Sequence, residues 1–163
     1  MEAVSYICDN TFYTITAITT CDSIPYDVNT VYSIIKDTDI TQYISNMELS
    51  VKQGYSFAIF KDDIRIGFVY SFKQNHRYIG ASIYIIGDVV AATIALKTIF
   101  DITDSHKIVF MPHKDNLKFF ISMIEGTSIR AHYTDNSPIA ILRNVVYTKG
   151  TKIFKYLNIQ EVT

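Results

Sequence analysis

The sequence predicts an α+β fold, a mostly antiparallel central sheet with about four flanking helices. Three observations carry that prediction. From Ile64 to Phe72, apolar residues (Ile64, Ile66, Phe68, Tyr70, Phe72) alternate with Arg65, Gly67, Val69 and Ser71, the period of two that marks a strand. Four other stretches place their apolar residues three and four positions apart, the period of a helix. The length, 163 residues, is that of one ordinary domain, and there is no internal repeat, low-complexity tract or linker. A single domain over residues 1–163 is expected, with 148–163 as a C-terminal tail.

Residues 12–19, rich in β-branched and aromatic side chains, read as the first strand, stopped by the turn Cys21-Asp22-Ser23. Asp22 or Ser23 is placed to cap a helix with Pro25 in its first turn, where a missing N–H costs nothing. Val28, Val31, Tyr32 and Ile35 form its apolar face. A second helix follows Thr38 or Asp39, with the stripe Ile40, Tyr43, Ile44, Met47 and Val51, and Gly54 is placed to end it in the left-handed conformation. Strands follow at 56–60 and 64–72, across the polar turn Lys61-Asp62-Asp63, and at 78–86 after a polar hairpin loop. The last of these is almost wholly apolar, as befits a central strand buried on both faces.

Asp88 is the natural N-cap of the next helix, traced by Val89, Ala92, Thr93, Leu96, Ile99 and Phe100 and followed by a loop over 101–106. A short strand at 107–111 closed by Pro112, a helix from Asp115-Asn116 to Gly126, and two strands at 128–133 and 140–147 complete the order. Asp135-Asn136-Ser137-Pro138 is the turn between the last two.

Composition narrows the function. Hydrophobic residues make up 48% of the chain and charged residues 19%, which excludes intrinsic disorder. Lys and Arg (15) balance Asp and Glu (16), so the chain lacks the cationic footprint of a nucleic-acid binder. Lys149, Lys152 and Lys155 read as solvated charge. Cys8 and Cys21 make no disulfide framework, and no CxxC or Cys/His cluster is present to hold zinc. The histidines are scattered, and the phosphate-loop, H-E-x-x-H and G-x-S-x-G patterns are absent. No run approaches a membrane span and the first residues lack a secretion signal, so a soluble, cytoplasmic protein is expected. The 12 Tyr and 10 Phe stand out in a chain with no Trp. Tyr70, Tyr78, Tyr84, Tyr133 and Tyr147 are expected on half-exposed strand faces, where they would offer a packing surface to another protein.

The element order over residues 12–147 resembles the GNAT (Gcn5-related N-acetyltransferase) fold, a mixed and mostly antiparallel sheet. The most specific segment is Lys107-Ile-Val-Phe-Met-Pro-His-Lys-Asp-Asn116-Leu-Lys-Phe-Phe-Ile-Ser-Met-Ile-Glu-Gly126, similar to the family's strand and helix with an Asn between them and a Gly at the end. The chain also resembles reduced GNAT-like proteins of phages, including internal virion proteins of short-tailed phages. The resemblance implies that acetyl-CoA would sit where the central parallel strands part. Its diphosphate would lie on a loop of the form (Arg/Gln)-x-x-Gly-x-(Gly/Ala) that opens the helix. Gly87, Val89 and Asn116 are the residues this carries over as cofactor-binding candidates.

The corresponding stretch here, Ile85-Ile86-Gly87-Asp88-Val89, has one glycine and no basic residue, and Asp88 brings a carboxylate to a position the family gives to phosphate. Catalytic groups are equally sparse. Taking a proton from an amine calls for a base, yet residues 64–87 contain no Asp or Glu. His76, in a predicted loop, Tyr84 and Tyr133 are the candidates; where many members of the family place a Tyr, this chain has Met123.

The expectation is a GNAT-fold protein with a degenerate acetyl-CoA loop, a non-catalytic structural or interaction protein such as a phage virion-associated or assembly protein. It would take no cofactor, and its partners would be other proteins, virion components or a second copy, in the host cytoplasm or the virion. The alternative is an acetyl-CoA-dependent N-acetyltransferase with an atypical pyrophosphate loop.

Overall fold

The computed structural model describes residues 3–34, 40–73, 79–85, 88–104, 107–110, 129–133, 140–144 and 157–162. His76, Gly87, Asn116, Met123 and the helix expected after Asp115 lie outside the described residues, as do Tyr78 and Tyr147.

The chain opens with a hairpin that the pattern reading did not anticipate, β1 (Val4–Cys8) and β2 (Thr11–Ala17). Its turn residues Asp9 and Asn10 both have positive φ, 47° and 68°, the backbone form that keeps a two-residue loop in step with the twist of its strands. A 3-10 turn (Cys21–Ser23) leads into α1 (Ile24–Ile34), with Pro25 in the first helical turn. The apolar stripe of α2 (Ile40–Gln53) faces inward as its spacing requires. Gly54, at φ +78°, ends the helix: its N–H and that of Tyr55 return to the carbonyls of Val51 and Ser50 at 3.1 and 3.0 Å.

Strands β3 (Ser56–Lys61) and β4 (Ile64–Lys73) are joined by a second two-residue turn, Asp62-Asp63, again at positive φ. Their register slips by one residue: Ile59 pairs with Gly67 but Phe60 pairs with Arg65, which leaves Ile66 as an inserted residue, a β-bulge. The alternation read from the sequence therefore changes face at Ile66. Arg65 turns to the face that carries Phe68 and Tyr70, while Ile66 packs with the opposite cluster.

After β5 (Ile79–Ile85) comes α3 (Val89–Thr103), buried from Ala91 to Phe100. It continues past the loop expected from Asp101 and stops at Asp104, in the left-handed conformation at φ 49°. Strands β6 (Lys107–Phe110), β7 (Ile129–Tyr133) and β8 (Ala140–Asn144) follow. The C-terminal stretch expected as a tail contains β9 (Ile159–Val162), paired with β1, and Asn158 donates to the Asp9 carboxylate at 2.8 Å.

The nine described strands lie in one sheet of order β7-β8-β6-β5-β4-β3-β2-β1-β9. Every neighbouring pair is antiparallel except β5 and β6, which run parallel. The architecture is thus α+β with a mixed, mostly antiparallel sheet and three described α-helices. Both faces are covered. Beneath α3, Ile15, Phe57, Ile59, Val69, Ile83 and Ile85 close around Ile94, Leu96 and Ile99. On the other face, Ile24, Val28 and Met47 of α1 and α2 close over Phe68 and Tyr70. Each such fully buried apolar side chain stabilises the fold by about 1.5–3 kcal/mol. This double cover explains why Tyr70, expected half-exposed, is fully buried. Among the described residues no helix is long and apolar enough to cross a membrane.

Candidate functional site

Among the described residues the central parallel pair meets at three positions, Ile79 with Ile108, Gly80 with Val109 and Ala81 with Phe110. Beyond Ala81, Ser82 to Ile85 pair with β4, and among the described residues no strand pairs with them on the other side. The same register row runs Ser71, Ala81, Phe110, Ala140, Tyr133, which places Tyr133 level with the last described pair of β5 and β6.

At the C-terminal end of β5, α3 begins. Its N-cap is Asp88, whose side chain accepts from the Ala91 N–H at 2.9 Å, as the sequence predicts. Two further groups converge on the same carboxylate. The Tyr13 hydroxyl, from β2, donates to both oxygens at 3.0 and 3.3 Å, and the Lys61 ammonium, from β3, lies 3.4 Å away. Tyr13 is buried, and that burial, reinforced by the adjacent Asp88 charge, pushes its hydroxyl pKa upward. The phenol therefore stays protonated and remains a donor.

On the opposite face lies a second charged cluster. Asp27 of α1 is fully buried, accepts from the Tyr70 hydroxyl at 2.6 Å and pairs with the Arg65 guanidinium at 3.1 and 3.2 Å. Ser23 lies 3.3 Å from the Tyr70 hydroxyl. Burial and the Asp27 bond hold the Tyr70 proton in place, so its pKa is raised. The pattern reading missed Asp27, although it was legible: Ile24, Asp27, Val28 and Val31 follow the helical spacing, so a carboxylate stands on the apolar stripe.

Of the candidates, Tyr84 lies on β5 opposite Phe68, with its ring stacked on the Phe68 ring at 5.2 Å between centroids. It is half-buried, and its pKa is raised by burial. Val89 is the exposed first residue of α3. Tyr133 closes β7. Tyr84 thus packs on the face of Phe68 and Tyr70, whereas Val89 opens α3, which packs on the opposite face, so the two are not brought together. His76, Gly87 and Asn116 are among the undescribed positions.

No protein-family model and no curated protein matches the chain. Solved structures do. Mycobacterium smegmatis RimJ, in complex with CoA-disulfide, superposes with a TM-score of 0.53 at 11% identity, over 87% of this chain and 86% of that one. A ribosomal-protein-alanine N-acetyltransferase from Brucella melitensis gives 0.52 at 10% identity, over 78% of this chain and 95% of its own. This chain has the GNAT fold. Salmonella typhimurium YncA, a putative acetyltransferase with its cofactor acetyl-CoA, gives 0.53 at 9% identity, over 80% and 90% of the two chains. At these identities the likeness is one of fold.

These neighbours correct one expectation. RimJ and YncA hold CoA-disulfide and acetyl-CoA, so a GNAT fold gives no ground for expecting a chain without a cofactor. At the start of α3 the Asp88 carboxylate takes the Ala91 N–H, the Tyr13 hydroxyl and the Lys61 ammonium.

Proposed function

We propose that this protein uses the GNAT scaffold as a structural or interaction module and does not transfer acetyl groups. The observation that supports this most directly is the state of Asp27. An amine attacking a thioester must lose a proton, and β4 and β5 carry no carboxylate of their own. The acid that α1 brings to that face is fully buried, with a phenol and a guanidinium on its oxygens. Both of its oxygens are engaged inside the protein, so it is poorly placed to take a proton from an amine. Tyr84 is a poor substitute, since burial favours its protonated form.

The interaction half of the proposal draws on the sheet end that the helices leave bare. Ile7 and Phe12, cross-strand partners on β1 and β2, and Val162 on β9 are 40%, 38% and 41% exposed. Apolar side chains grouped in this way favour contact with another protein. The sequence resemblance suggests components of a phage particle as the partner class, which mass spectrometry of purified particles would test.

The acetyltransferase alternative is favoured by a different observation, the CoA-disulfide and acetyl-CoA held by the RimJ and YncA structures of the same fold. Thiol release from acetyl-CoA, measured with a panel of peptide and small-molecule amines, separates the two. The expected result is release at the buffer rate for every amine. Release that is saturable and lost in Tyr84→Phe would overturn the proposal in favour of the enzyme.

A further inference from the structure

We propose that the Asp88 carboxylate is a built-in anion that closes the start of α3 to the diphosphate of coenzyme A, an autoinhibitory contact held by Tyr13 and Lys61. A helix N-terminus attracts anions through its free N–H groups and dipole. Here one such N–H, that of Ala91, is taken by Asp88, and the Ala92 N–H is bonded to the Asp88 carbonyl. Capping alone would need nothing more. Yet the carboxylate also draws a buried phenol from β2 and an ammonium from β3, elements that have no part in capping α3. Together they form the donor set that would suit an incoming anion, and the chain has supplied the anion itself. A diphosphate arriving there would have to displace Asp88 and would face its charge.

The Asp88 cluster concerns the diphosphate end of the coenzyme alone, since pantetheine lacks that group and brings no negative charge for Asp88 to repel. The inference also stands apart from the question of transfer, because it is read by binding and not by thiol release.

Asn and Ser cap helices about as well as Asp, so Asp88→Asn and Asp88→Ser remove the charge with the helix start retained, and circular dichroism checks the fold. Titration calorimetry with inorganic pyrophosphate, and with CoA against pantetheine, supplies the readout. Wild-type protein is expected to respond equally to CoA and pantetheine, and Asp88→Asn to bind pyrophosphate and CoA at least about tenfold more tightly than wild type. Adding Tyr13→Phe or Lys61→Met to that variant should take back most of the gain. Wild-type preference for CoA over pantetheine by tenfold or more would overturn the inference. So would Asp88 variants that gain no affinity for pyrophosphate. Should both variants fail to fold, the wild-type comparison of CoA with pantetheine decides alone.

Discussion

Replacing Tyr70 by Phe removes one oxygen from the centre of the α1 face. That oxygen donates to Asp27 at 2.6 Å, and both residues are fully buried. A hydrogen bond to a charged group contributes about 1.5–3 kcal/mol, and one to a neutral acceptor about 0.5–1.5 kcal/mol. Tyr70→Phe should therefore cost about 1.5–3 kcal/mol in the wild-type background. In Asp27→Asn the acceptor is neutral, so the same substitution should cost about 0.5–1.5 kcal/mol, leaving a coupling of about 1 kcal/mol. Asp27→Asn alone also deprives Arg65 of its counter-charge, although the half-buried guanidinium regains some water. For a chain of this length 1 kcal/mol moves the melting temperature by about 2–4 °C, so Tyr70→Phe should lower it by about 3–12 °C. Urea denaturation of the four proteins in the cycle measures each term. A Tyr70→Phe cost below about 0.5 kcal/mol, or the same cost in both backgrounds, would refute the idea that a charged, sealed Asp27 ties α1 to β4.

Two further outcomes follow from the same packing. Burial raises the Tyr6 pKa from 10.0 to about 12, and Tyr13, Tyr43, Tyr70 and Tyr84 are raised as well. Between those values the folded phenol keeps a proton that the unfolded one has lost, so the stabilisation is complete below about pH 10 and disappears as pH rises through about 12. Tyr6 alone accounts for about 2–3 kcal/mol of that loss; denaturation curves across this range should be flatter for Tyr6→Phe, and parallel curves would contradict the assignment. Gly67→Ala, beside the bulge, would drive a methyl group into the backbone carbonyl of Tyr84 and to 2.8 Å from Ile85 Cγ1. Since backbone cannot swing aside, a loss of about 1–3 kcal/mol is expected, and a melting temperature unchanged from wild type would count against this close strand approach.

How much of this was legible depended on the length of each signal. The stripe Ile40, Tyr43, Ile44, Met47, Val51 with Gly54 after it spans four turns, and helix α2 follows it to the residue. Hairpin β1–β2 was missed because Val4, Tyr6 and Cys8 give only three inward positions, and the turn is Asp-Asn without the glycine that usually announces one. The Asp88 cap could be read because it is local, one carboxylate three residues before its N–H. Its other partners, Tyr13 and Lys61, lie 75 and 27 positions away, and only strand pairing brings them in. Arg65 was legible as an alternating position but on the wrong face, because a bulge leaves no mark in a period-two pattern.

That bulge governs what the sheet end can do. Were the same sequence to run without the bulge, Ile66 pairing with Phe60 and Arg65 with Lys61, Arg65 would share the face of Val69 beneath α3, beside Lys61. Such a pair would have offered an anion more positive charge than Asp88 could neutralise. With the bulge, the two cations are divided between the faces and each meets a carboxylate from the helix on its own side, Arg65 with Asp27 and Lys61 with Asp88. Each partnership neutralises a cation of the sheet with an acid of the helix on that face. Removing one acid reopens one face only. Asp88→Asn should accordingly restore diphosphate affinity without restoring transfer, because the proton acceptor on the other face would still be sealed beneath α1.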